Sequence, residues 1–325
     1  MGALGADDTF QDEGKWRELV RTNDAVLVSA VGALLDAAYI PHVVLDQNMS
    51  VLEGSIGILP RRILVNECCV DDARELLEDA ALGGRLRLKQ PKRGHRVGHD
   101  AILLAAASAA RAGERAVDLG AGVGAAGLAL ALRVEGTEVV LVEVDAELAR
   151  LAAENAQLNG LNARVRSTAL DVAAPARAFA AAGLGPESVA HVLMNPPFND
   201  PARQRASPEG RRRLAHAASG STLPVWIKTA ARLLRPRGTL TMIWRADGLG
   251  DVLQALAPTF GAATVLPVHP DEEEAAIRIL VRATKASRAP LALLPGFVLN
   301  DRSGRPTAQA ESVLRDGAAL PLSEI

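Results

Sequence analysis

The chain has 325 residues, of which 49% are hydrophobic and only 3% aromatic, and its formal net charge at pH 7 is −2. At roughly 150 residues per domain, this length predicts two domains with aliphatic cores and excludes a disordered chain or a small disulfide-stapled domain. The apolar stretches are shorter than the ~20 residues of a membrane helix, and residues 1–13 lack the features of a signal peptide, so we expect a cytoplasmic protein that does not bind membranes.

Charge divides the chain into two parts. Residues 1–82 carry a net charge of −9, whereas residues 83–325 carry a net charge of +7. Such an asymmetry predicts two units with different partners. We therefore expect a small domain over residues 1–82 and a larger one over residues 83–325, with a C-terminal extension that starts at about residue 290.

The first unit shows the predicted order βαββα, which is typical of a small α+β domain. Alternating residues predict a strand over Trp16–Thr22, and apolar periodicity predicts a helix over Ala25–Tyr39 that Pro41 ends. The remaining predicted elements are strands at Val43–Leu45 and Ile63–Val65 and a helix over Val70–Leu82.

The two cysteines of the chain, Cys68 and Cys69, are adjacent. A disulfide between neighbouring residues would be strained, and this spacing does not suit a metal ion. We interpret both as small core or strand residues. Because the six histidines are scattered as well, the sequence predicts no metal site.

The second unit alternates strands with Ala- and Leu-rich helical stretches. Apolar strands are centred near Val117, Val140, Val165 and Val192, at intervals of 23, 25 and 27 residues. This spacing is typical of βαβ units and predicts an α/β fold with a doubly wound, mostly parallel sheet. The later predicted elements are a helix over Leu223–Leu234, strands at Gly238–Trp244, Ala263–Val268 and Ile277–Ala283, and a helical patch at Thr307–Leu314.

A glycine-rich loop follows the first of these strands, with the sequence Asp118-Leu119-Gly120-Ala121-Gly122-Val123-Gly124. Glycines let the backbone approach a ligand closely and leave the amides of the next helix pointing at it. Residues 122–127 also fit the dinucleotide pattern G-x-G-x-x-G, with the acid Glu143 about 20 residues further on. The loop alone therefore predicts a nucleotide-like ligand and leaves NAD open.

Carboxylates at the strand ends favour S-adenosylmethionine over NAD. Asp118 directly precedes the glycines, where it would repel a pyrophosphate but could hold a cationic amino acid group. Glu143 ends the next strand and could accept hydrogen bonds from both ribose hydroxyls, and Asp171 follows the third strand, where an adenine amino group could donate to it. The alternative is that these acids are ordinary helix caps.

The fourth strand runs into Asn195-Pro196-Pro197-Phe198 at the carboxyl edge of the predicted sheet, where open α/β folds bind ligands. Prolines fix φ and lack an N–H, so they present rigid carbonyl acceptors. The Asn195 side-chain oxygen and the Pro196 carbonyl could accept both protons of an amino group such as adenine N6, which frees its lone pair for a methyl group. Phe198 could stack on the base. The alternative is an ordinary turn.

These motifs resemble those of class I S-adenosylmethionine-dependent amino-group methyltransferases, in particular the bacterial tRNA(Val) adenine N6-methyltransferases. The resemblance covers about residues 83–290 and includes Leu88-Lys89-Gln90 through Gly98-His99-Asp100-Ala101-Ile102-Leu103-Leu104, the loop 118–124, Glu143 and residues 195–198. It implies a seven-stranded sheet, S-adenosylmethionine as cofactor and Asp100 as a further cofactor contact. Many relatives have Tyr where this chain has Phe198.

Residues 1–82 resemble a different family, a small bacterial domain described as a signal-transducing protein. The matching segment is Asp46-Gln47-Asn48-Met49-Ser50-Val51-Leu52-Glu53-Gly54-Ser55-Ile56-Gly57. This resemblance implies no chemistry, and we expect a protein partner for the acidic domain.

Three hypotheses for the function stay open at this stage: an RNA adenine N6-methyltransferase, a methyltransferase of a protein glutamine amide, and a non-catalytic module that senses S-adenosylmethionine. Two basic segments favour RNA, because arginine suits phosphate groups, and the resemblance implies that this RNA is tRNA. Their residues are Arg85, Arg87, Lys89, Lys92, Arg93 and Arg96 in the first segment, and Arg203, Arg205, Arg211, Arg212 and Arg213 in the second. The first segment could instead be a solvated linker.

Overall fold

The computed structural model describes residues 15–22, 25–45, 61–70, 72–73, 81–91, 98–197 and 222–323. The chain divides into two compact units, Met1–Glu78 and Asp79–Ile325. The division falls four residues before the boundary that the charge pattern suggests. Its position has a physical reason, since Leu82 and Leu86 are buried and Leu82 contributes to the same small cavity as Ile102 and Val313 of the second unit.

In its described residues, the first unit contains an antiparallel sheet with the strand order β1-β3-β2 and a helix that packs on this sheet. Its elements are β1 (Trp16–Thr22), α1 (Ala25–Ala37), β2 (His42–Leu45) and β3 (Arg61–Asn66). Val28, Val31 and Leu35 of α1 form a buried cluster with Ile63 and Val65 of β3. The predicted order of the first four elements is therefore confirmed.

The second predicted helix of this unit does not extend to Leu82. Residues 70, 72 and 73 are helical and residues 74–80 lie outside the described residues, but Ala81 is extended and Leu82–Gly84 form a 3₁₀ turn. Leu82, Gly83 and Gly84 all have positive φ angles, of 54°, 62° and 90°. An α-helix has negative φ throughout, so this prediction is wrong at its C-terminal end.

The two cysteines are neither core nor strand residues. They lie in a 3₁₀ turn, Glu67–Cys69, that directly follows β3, and Cys68 is exposed. The Asn66 side chain accepts a hydrogen bond from the Cys68 amide and so caps this turn. Our interpretation of Cys68 and Cys69 is wrong because a local cap at Asn66 ends the strand before they are reached.

The second unit is built around a sheet of nine strands. Its strands are β4 (Arg115–Leu119), β5 (Glu138–Glu143), β6 (Val165–Ala169), β7 (Val189–Met194), β8 (Leu234–Arg245), β9 (Phe260–His269), β10 (Arg278–Lys285), β11 (Ala292–Leu293) and β12 (Phe297–Val298). Its helices are α2 (His99–Ala107), α3 (Ala125–Arg133), α4 (Ala146–Leu158), α5 (Ala176–Ala181), α6 (Thr222–Leu233), α7 (Leu249–Leu256) and α8 (Ala308–Leu314).

The strand order is β11-β9-β10-β8-β7-β4-β5-β6, and β12 also pairs with β9. Neighbours from β8 to β6 are parallel, whereas β10 is antiparallel to both β8 and β9. The predicted α/β fold with a mostly parallel sheet is confirmed. Seven strands are long, as expected, and the C-terminal extension adds two strands of two residues each.

Helices cover both faces of this sheet. Gly127 of α3 lies against Val139 and Leu141 of β5, whereas Ile227 of α6 belongs to the same buried cluster as Val140 and Val142. Alternate residues of a strand point to opposite faces, so α3 and α6 pack on opposite sides. The sheet is therefore doubly wound, as its spacing predicts.

The chain changes direction across the sheet between β4 and β7. From β4 the chain moves outward through β5 and β6, and from β7 it moves the other way to β8. Leu119 of β4 pairs with Met194 of β7 and with Val142 of β5, so Gly120, Asn195 and Glu143 follow in line at one edge. Open α/β sheets bind ligands at such a point, outside the carboxyl ends of the strands.

Two asparagines, one in α4 and one directly after it, hold the segment 81–91 against the rest of the second unit. Asn159 and Asn155 exchange hydrogen bonds with the backbones of Arg87 and Lys89, respectively, at 2.6–3.1 Å. Asn155 is fully buried and also donates to the carbonyl of Val123 in the glycine loop, at 3.0 Å. This asparagine therefore ties the segment to the predicted cofactor loop.

The described part of the first basic segment is accordingly a packed strap and not a solvated linker. Arg85 donates to the Asp316 carbonyl, Arg87 to the Leu158 carbonyl, and Lys89 pairs with Glu154. All three side chains remain largely exposed, so they can still face a polyanion. Residues 92–97, which contain the other three basic residues, lie outside the described residues.

We expect Asn155→Ala to lower the free energy of unfolding by about 2 to 4 kcal/mol, because it leaves three backbone groups of Lys89 and Val123 without their partner. Urea unfolding followed by circular dichroism measures this loss. The matched variant Asn159→Ala removes three bonds that are less buried, two with Arg87 and one with the Asn155 carbonyl, and should cost about 1 kcal/mol. Equal losses in the two variants would contradict the special role of Asn155.

In the part of the chain that the structure describes, no helix combines the length and the apolar character needed to cross a membrane.

Candidate cofactor and acceptor site

The glycine loop is fixed by the strand beside it. The amides of Gly120 and Ala121 both donate to the Val142 carbonyl of β5, at 2.8 and 3.0 Å. Gly120, Gly122 and Gly124 have φ angles of 71°, 56° and 91°, a region in which other residues are strained. The loop therefore depends on its glycines for its shape, and its last residue, Gly124, is the N-cap of α3.

The indole of Trp226 lies against the first glycine. A Cβ atom added at Gly120 would collide with the six-membered ring of Trp226, which α6 places there. Trp226 is only partly buried and packs against the core cluster of the sheet. Trp226 was not predicted as part of the site, since a tryptophan more than 100 positions away gives no local signal for a contact with Gly120.

Glu143 is held in place by backbone amides. Its two carboxylate oxygens accept hydrogen bonds from Gly122, at 2.8 Å, and from Asp145, at 3.0 Å. The side chain is 7% exposed. A carboxylate has about four acceptor positions, so this group can still accept hydrogen bonds from ligand hydroxyls. Asp145, and not Glu143, caps α4.

Asp118 lies beneath α3 and is almost completely buried. Its carboxylate accepts a hydrogen bond, at 2.9 Å, from the amide of Gly127, the third residue of α3. First-turn amides have no partner within their helix, so Asp118 caps α3, which is the alternative that the sequence left open. Burial raises the pKa of Asp118 to about 7, and the negative charge of Glu143 adds to this effect, whereas the Gly127 hydrogen bond opposes it. The geometry thus shows Asp118 supporting the loop and helix.

The raised pKa of Asp118 predicts a specific pH dependence of stability. Between about pH 4 and pH 7 the native protein retains a proton that the unfolded chain has released, so its free energy of unfolding falls as the pH rises through this range. Asp118→Asn keeps an acceptor for Gly127 and removes this penalty. We compare the free energy of unfolding of Asp118→Asn with that of the wild type by urea unfolding. The difference should change by about 2 to 3 kcal/mol in favour of the variant between pH 5 and pH 8. A constant difference would contradict the raised pKa.

Asp171 and Asp100 lie at the same edge of the sheet but have partners of their own. Asp171 follows β6, is exposed and accepts a hydrogen bond from the Ala173 amide, at 2.8 Å, as in a local turn. Asp100 lies in the first turn of α2 and pairs with Arg278, at 3.0 Å. Arg278 begins β10 opposite Arg245, the last residue of β8, which puts the pair at the carboxyl edge.

Asn195, Pro196 and Pro197 directly follow β7, beside the glycine loop. Met194, the last residue of β7, pairs with Leu119 on one side and with Met242 of β8 on the other. Asn195 is partly exposed, Pro196 is buried and Pro197 is exposed. Phe198 and the second basic segment, residues 203–213, lie outside the described residues. The structure therefore brings the asparagine and the loop together at the ligand edge.

Comparison with known families agrees with this architecture. Residues 96–269, more than half of the chain, match the family described as "Methyltransferase small domain". The chain belongs to this methyltransferase family. Residues 16–81 match a second family, described as "Putative prokaryotic signal transducing protein". Both resemblances inferred from the sequence are thereby confirmed.

Curated relatives of this methyltransferase include enzymes for two kinds of acceptor. It is 28% identical to the tRNA1(Val) (adenine(37)-N6)-methyltransferase of Tolumonas auensis over 54% of this chain and 70% of that protein. It is 31% identical to the enzyme of the same name from Erwinia tasmaniensis, over 49% of this chain and 62% of that protein. It is also 31% identical to the release factor glutamine methyltransferase of Chlorobaculum tepidum, over 46% of this chain and 52% of that protein. The methyltransferase thus spans between half and about two thirds of these relatives.

A solved structure resembles it over a longer range. A protein from Agrobacterium tumefaciens, described as a predicted O-methyltransferase, is 33% identical to this chain. The match covers 68% of this chain and 98% of that protein, with a TM-score of 0.58. This likeness supports the family and the fold.

Proposed function

We propose that the chain is an S-adenosylmethionine-dependent N-methyltransferase whose acceptor is adenine N6 in tRNA. The observation that carries the proposal is the alignment of β4 with β7, which puts Asn195 next to the glycine loop at the ligand edge. A methyl donor bound on the loop would face an amino group bound at Asn195. The family match, which names the reaction class, supports the same conclusion.

The residues present fit S-adenosylmethionine better than a dinucleotide. Glu143 is buried and oriented by two amides, as a group that binds ribose hydroxyls needs to be. A Cβ atom added at Gly122 would meet open space, so this side of the loop is accessible to a ligand. A second carboxyl group, Asp118, is buried directly before the loop; with a pKa of about 7 it carries part of a negative charge at neutral pH, which disfavours a pyrophosphate there. When bound, S-adenosylmethionine supplies a methyl group attached to a positively charged sulfur.

Asn195 and Pro196 would activate the acceptor. The lone pair of adenine N6 is delocalised into the ring, which makes the amino group a poor nucleophile. If the Asn195 side-chain oxygen and the Pro196 carbonyl accept its two N–H bonds, the nitrogen becomes pyramidal and its lone pair is directed at the methyl group. A strong base is not needed before the attack, because the proton becomes acidic once the nitrogen is methylated. Phe198 is assigned the stacking of the base.

Two observations favour RNA over a protein amide. Two of the three relatives above carry the name of a tRNA adenine methyltransferase. The exposed side chains of Arg85, Arg87 and Lys89 also form a basic strap on the catalytic unit. The relative from Chlorobaculum tepidum makes a protein glutamine amide the second candidate acceptor. With tRNA as the proposed acceptor, we also propose a cytoplasmic enzyme.

An RNA substrate predicts a steep dependence of activity on salt. We expect kcat/KM for tRNA to fall at least tenfold between 50 and 200 mM KCl, because binding to phosphates releases counterions. The affinity for S-adenosylmethionine, measured by calorimetry, serves as the control and should change less than twofold. A flat salt profile would contradict an RNA substrate and favour the protein amide.

Binding of NAD in the same calorimeter would contradict the cofactor assignment.

The N-terminal unit is proposed to bind a protein partner and not RNA. Its net charge of −9 over residues 1–82 opposes phosphate groups, although screening over about 8 Å weakens this at physiological salt. We expect a truncated chain that begins at Asp79 to fold and to retain methyl transfer, since this start keeps the strap intact. The test compares RNA affinity between the truncated and the full-length protein. A tenfold loss would contradict this proposal.

A further inference from the structure

Cys68 and Cys69 form a pair of contacting thiols on the N-terminal unit. Their Sγ atoms are 3.2 Å apart, so one thiol donates a hydrogen bond to the other. Cys68 is exposed and Cys69 is partly exposed. Two accessible thiols in contact can react in sequence with one reagent, which a single cysteine cannot do.

The turn that carries the pair is fixed on both sides. The Glu67 amide donates to the Lys15 carbonyl, at 2.9 Å, and Arg17 of β1 donates to the Glu67 carboxylate, also at 2.9 Å. The Asn66 side chain caps the turn from within, through the Cys68 amide at 3.2 Å. These bonds hold the backbone around the two thiols, so their proximity is part of the folded domain.

We propose that Cys68 and Cys69 are a site of reversible oxidation by a low-molecular-weight disulfide. The Cys68 thiolate attacks one sulfur of the reagent, forms a mixed disulfide and releases the first thiol. Cys69 then loses its proton, attacks the Cys68 sulfur as the thiolate, breaks the mixed disulfide and releases the second thiol. In sum, the two protein thiols become one S–S bond, the reagent is reduced to two thiols, and the two protons pass to those thiols.

The order of these steps follows from the surroundings of the two thiols. Cys68 is the more exposed of the two and is reached first by a reagent from solvent. The hydrogen bond with Cys68, assisted by burial, raises the pKa of the Cys69 thiol. Cys69 therefore keeps its proton while Cys68 reacts, and it is already within 3.2 Å of the sulfur that it attacks next.

The same geometry makes the oxidation reversible. Consecutive Cα atoms are about 3.8 Å apart, which is less than the roughly 4.4–6.8 Å that an ordinary disulfide spans. A bridge between Cys68 and Cys69 is therefore strained, and strained bridges are more easily reduced than structural ones. We expect the bridge to open again when a thiol is in excess.

The test uses the full-length protein, whose only cysteines are these two. The protein is incubated with excess oxidised glutathione, remaining thiols are blocked with N-ethylmaleimide, and the intact mass is measured. We expect the wild type to lose two hydrogen atoms and to carry no adduct, and dithiothreitol to restore two blockable thiols. The matched variants Cys68→Ser and Cys69→Ser lack a second thiol and should each carry one glutathione.

Three results would overturn the proposal. A wild-type chain with two glutathione adducts would show that the thiols react separately. Two thiols that remain open to N-ethylmaleimide would show that the pair is not oxidised. A dimer on a non-reducing gel, absent after reduction, would show that the cysteines pair between chains. None of these results bears on methyl transfer, so this proposal and the proposed function are tested independently.

Discussion

Asn195→Ala should lower the rate of methyl transfer at least ~100-fold while the affinity for S-adenosylmethionine stays within about twofold of the wild type. In the proposed mechanism the side-chain oxygen of Asn195 is the acceptor that holds the amino group for attack, and removing it leaves only the Pro196 carbonyl. Because Asn195 follows β7 and the glycine loop follows β4, the substitution leaves every hydrogen bond of the loop intact. Single-turnover kinetics with saturating cofactor measure the rate, and calorimetry measures the affinity.

The variant Asn195→Asp provides a matched comparison. It keeps an oxygen acceptor of nearly the same size, so we expect it to retain more activity than Asn195→Ala. Loss of cofactor binding in Asn195→Ala would mean instead that the Asn-Pro-Pro segment is structural. Equal, nearly complete activity in both variants would show that this asparagine does not touch the acceptor.

Glu143→Ala should weaken S-adenosylmethionine binding by roughly 10- to 150-fold, equivalent to about 1.5 to 3 kcal/mol. The substitution removes the proposed acceptor for the ribose hydroxyls and also leaves the amides of Gly122 and Asp145 without their partner. Both effects weaken the binding of the cofactor and leave the acceptor site unchanged. The loss should therefore appear in the dissociation constant of S-adenosylmethionine and not in the rate of methyl transfer at saturating cofactor. Calorimetry at constant pH measures it.

Asp171→Ala is the matched control for Glu143→Ala. Asp171 is an exposed carboxylate at the neighbouring strand end, and its described hydrogen bond is a local one with Ala173. We expect Asp171→Ala to weaken the binding of S-adenosylmethionine less than tenfold. If Asp171→Ala weakens binding more than Glu143→Ala does, the ribose assignment of Glu143 is contradicted.

The sequence predicted the sheet of the second unit well because its inner parallel strands are mostly apolar, and even the polar edge strand β6 begins with the buried Val165. Val117, Val140, Val165 and Val192 each lie in the strand that their spacing predicts. The short strands β11 and β12 were not predicted, because two residues are too few to show any period. Pairing with β9, and not their own sequence, defines these strands.

Around the site, the sequence predicted residues with local patterns and missed those that act over long separations. The glycines and the acids stand out next to their strands. Asn155 binds a segment 66 positions earlier, and Trp226 lies against Gly120 across the sheet, so neither contact leaves a pattern in the sequence. The prediction for the two cysteines was wrong for a different reason. The residues before them are strand-like, but the Asn66 side chain caps a 3₁₀ turn that ends β3 before Cys68.

The most direct test of the central proposal is methyl transfer from labelled S-adenosylmethionine to two acceptors in parallel, unmodified tRNA and a total protein extract. The tRNA is digested to nucleosides and separated by chromatography, and the protein is hydrolysed and analysed for methylated amides. We predict label in N6-methyladenosine with the wild type and none with Asn195→Ala. Label in methylated glutamine, or in a nucleoside that is methylated at an atom other than an amino nitrogen, would contradict the proposed function.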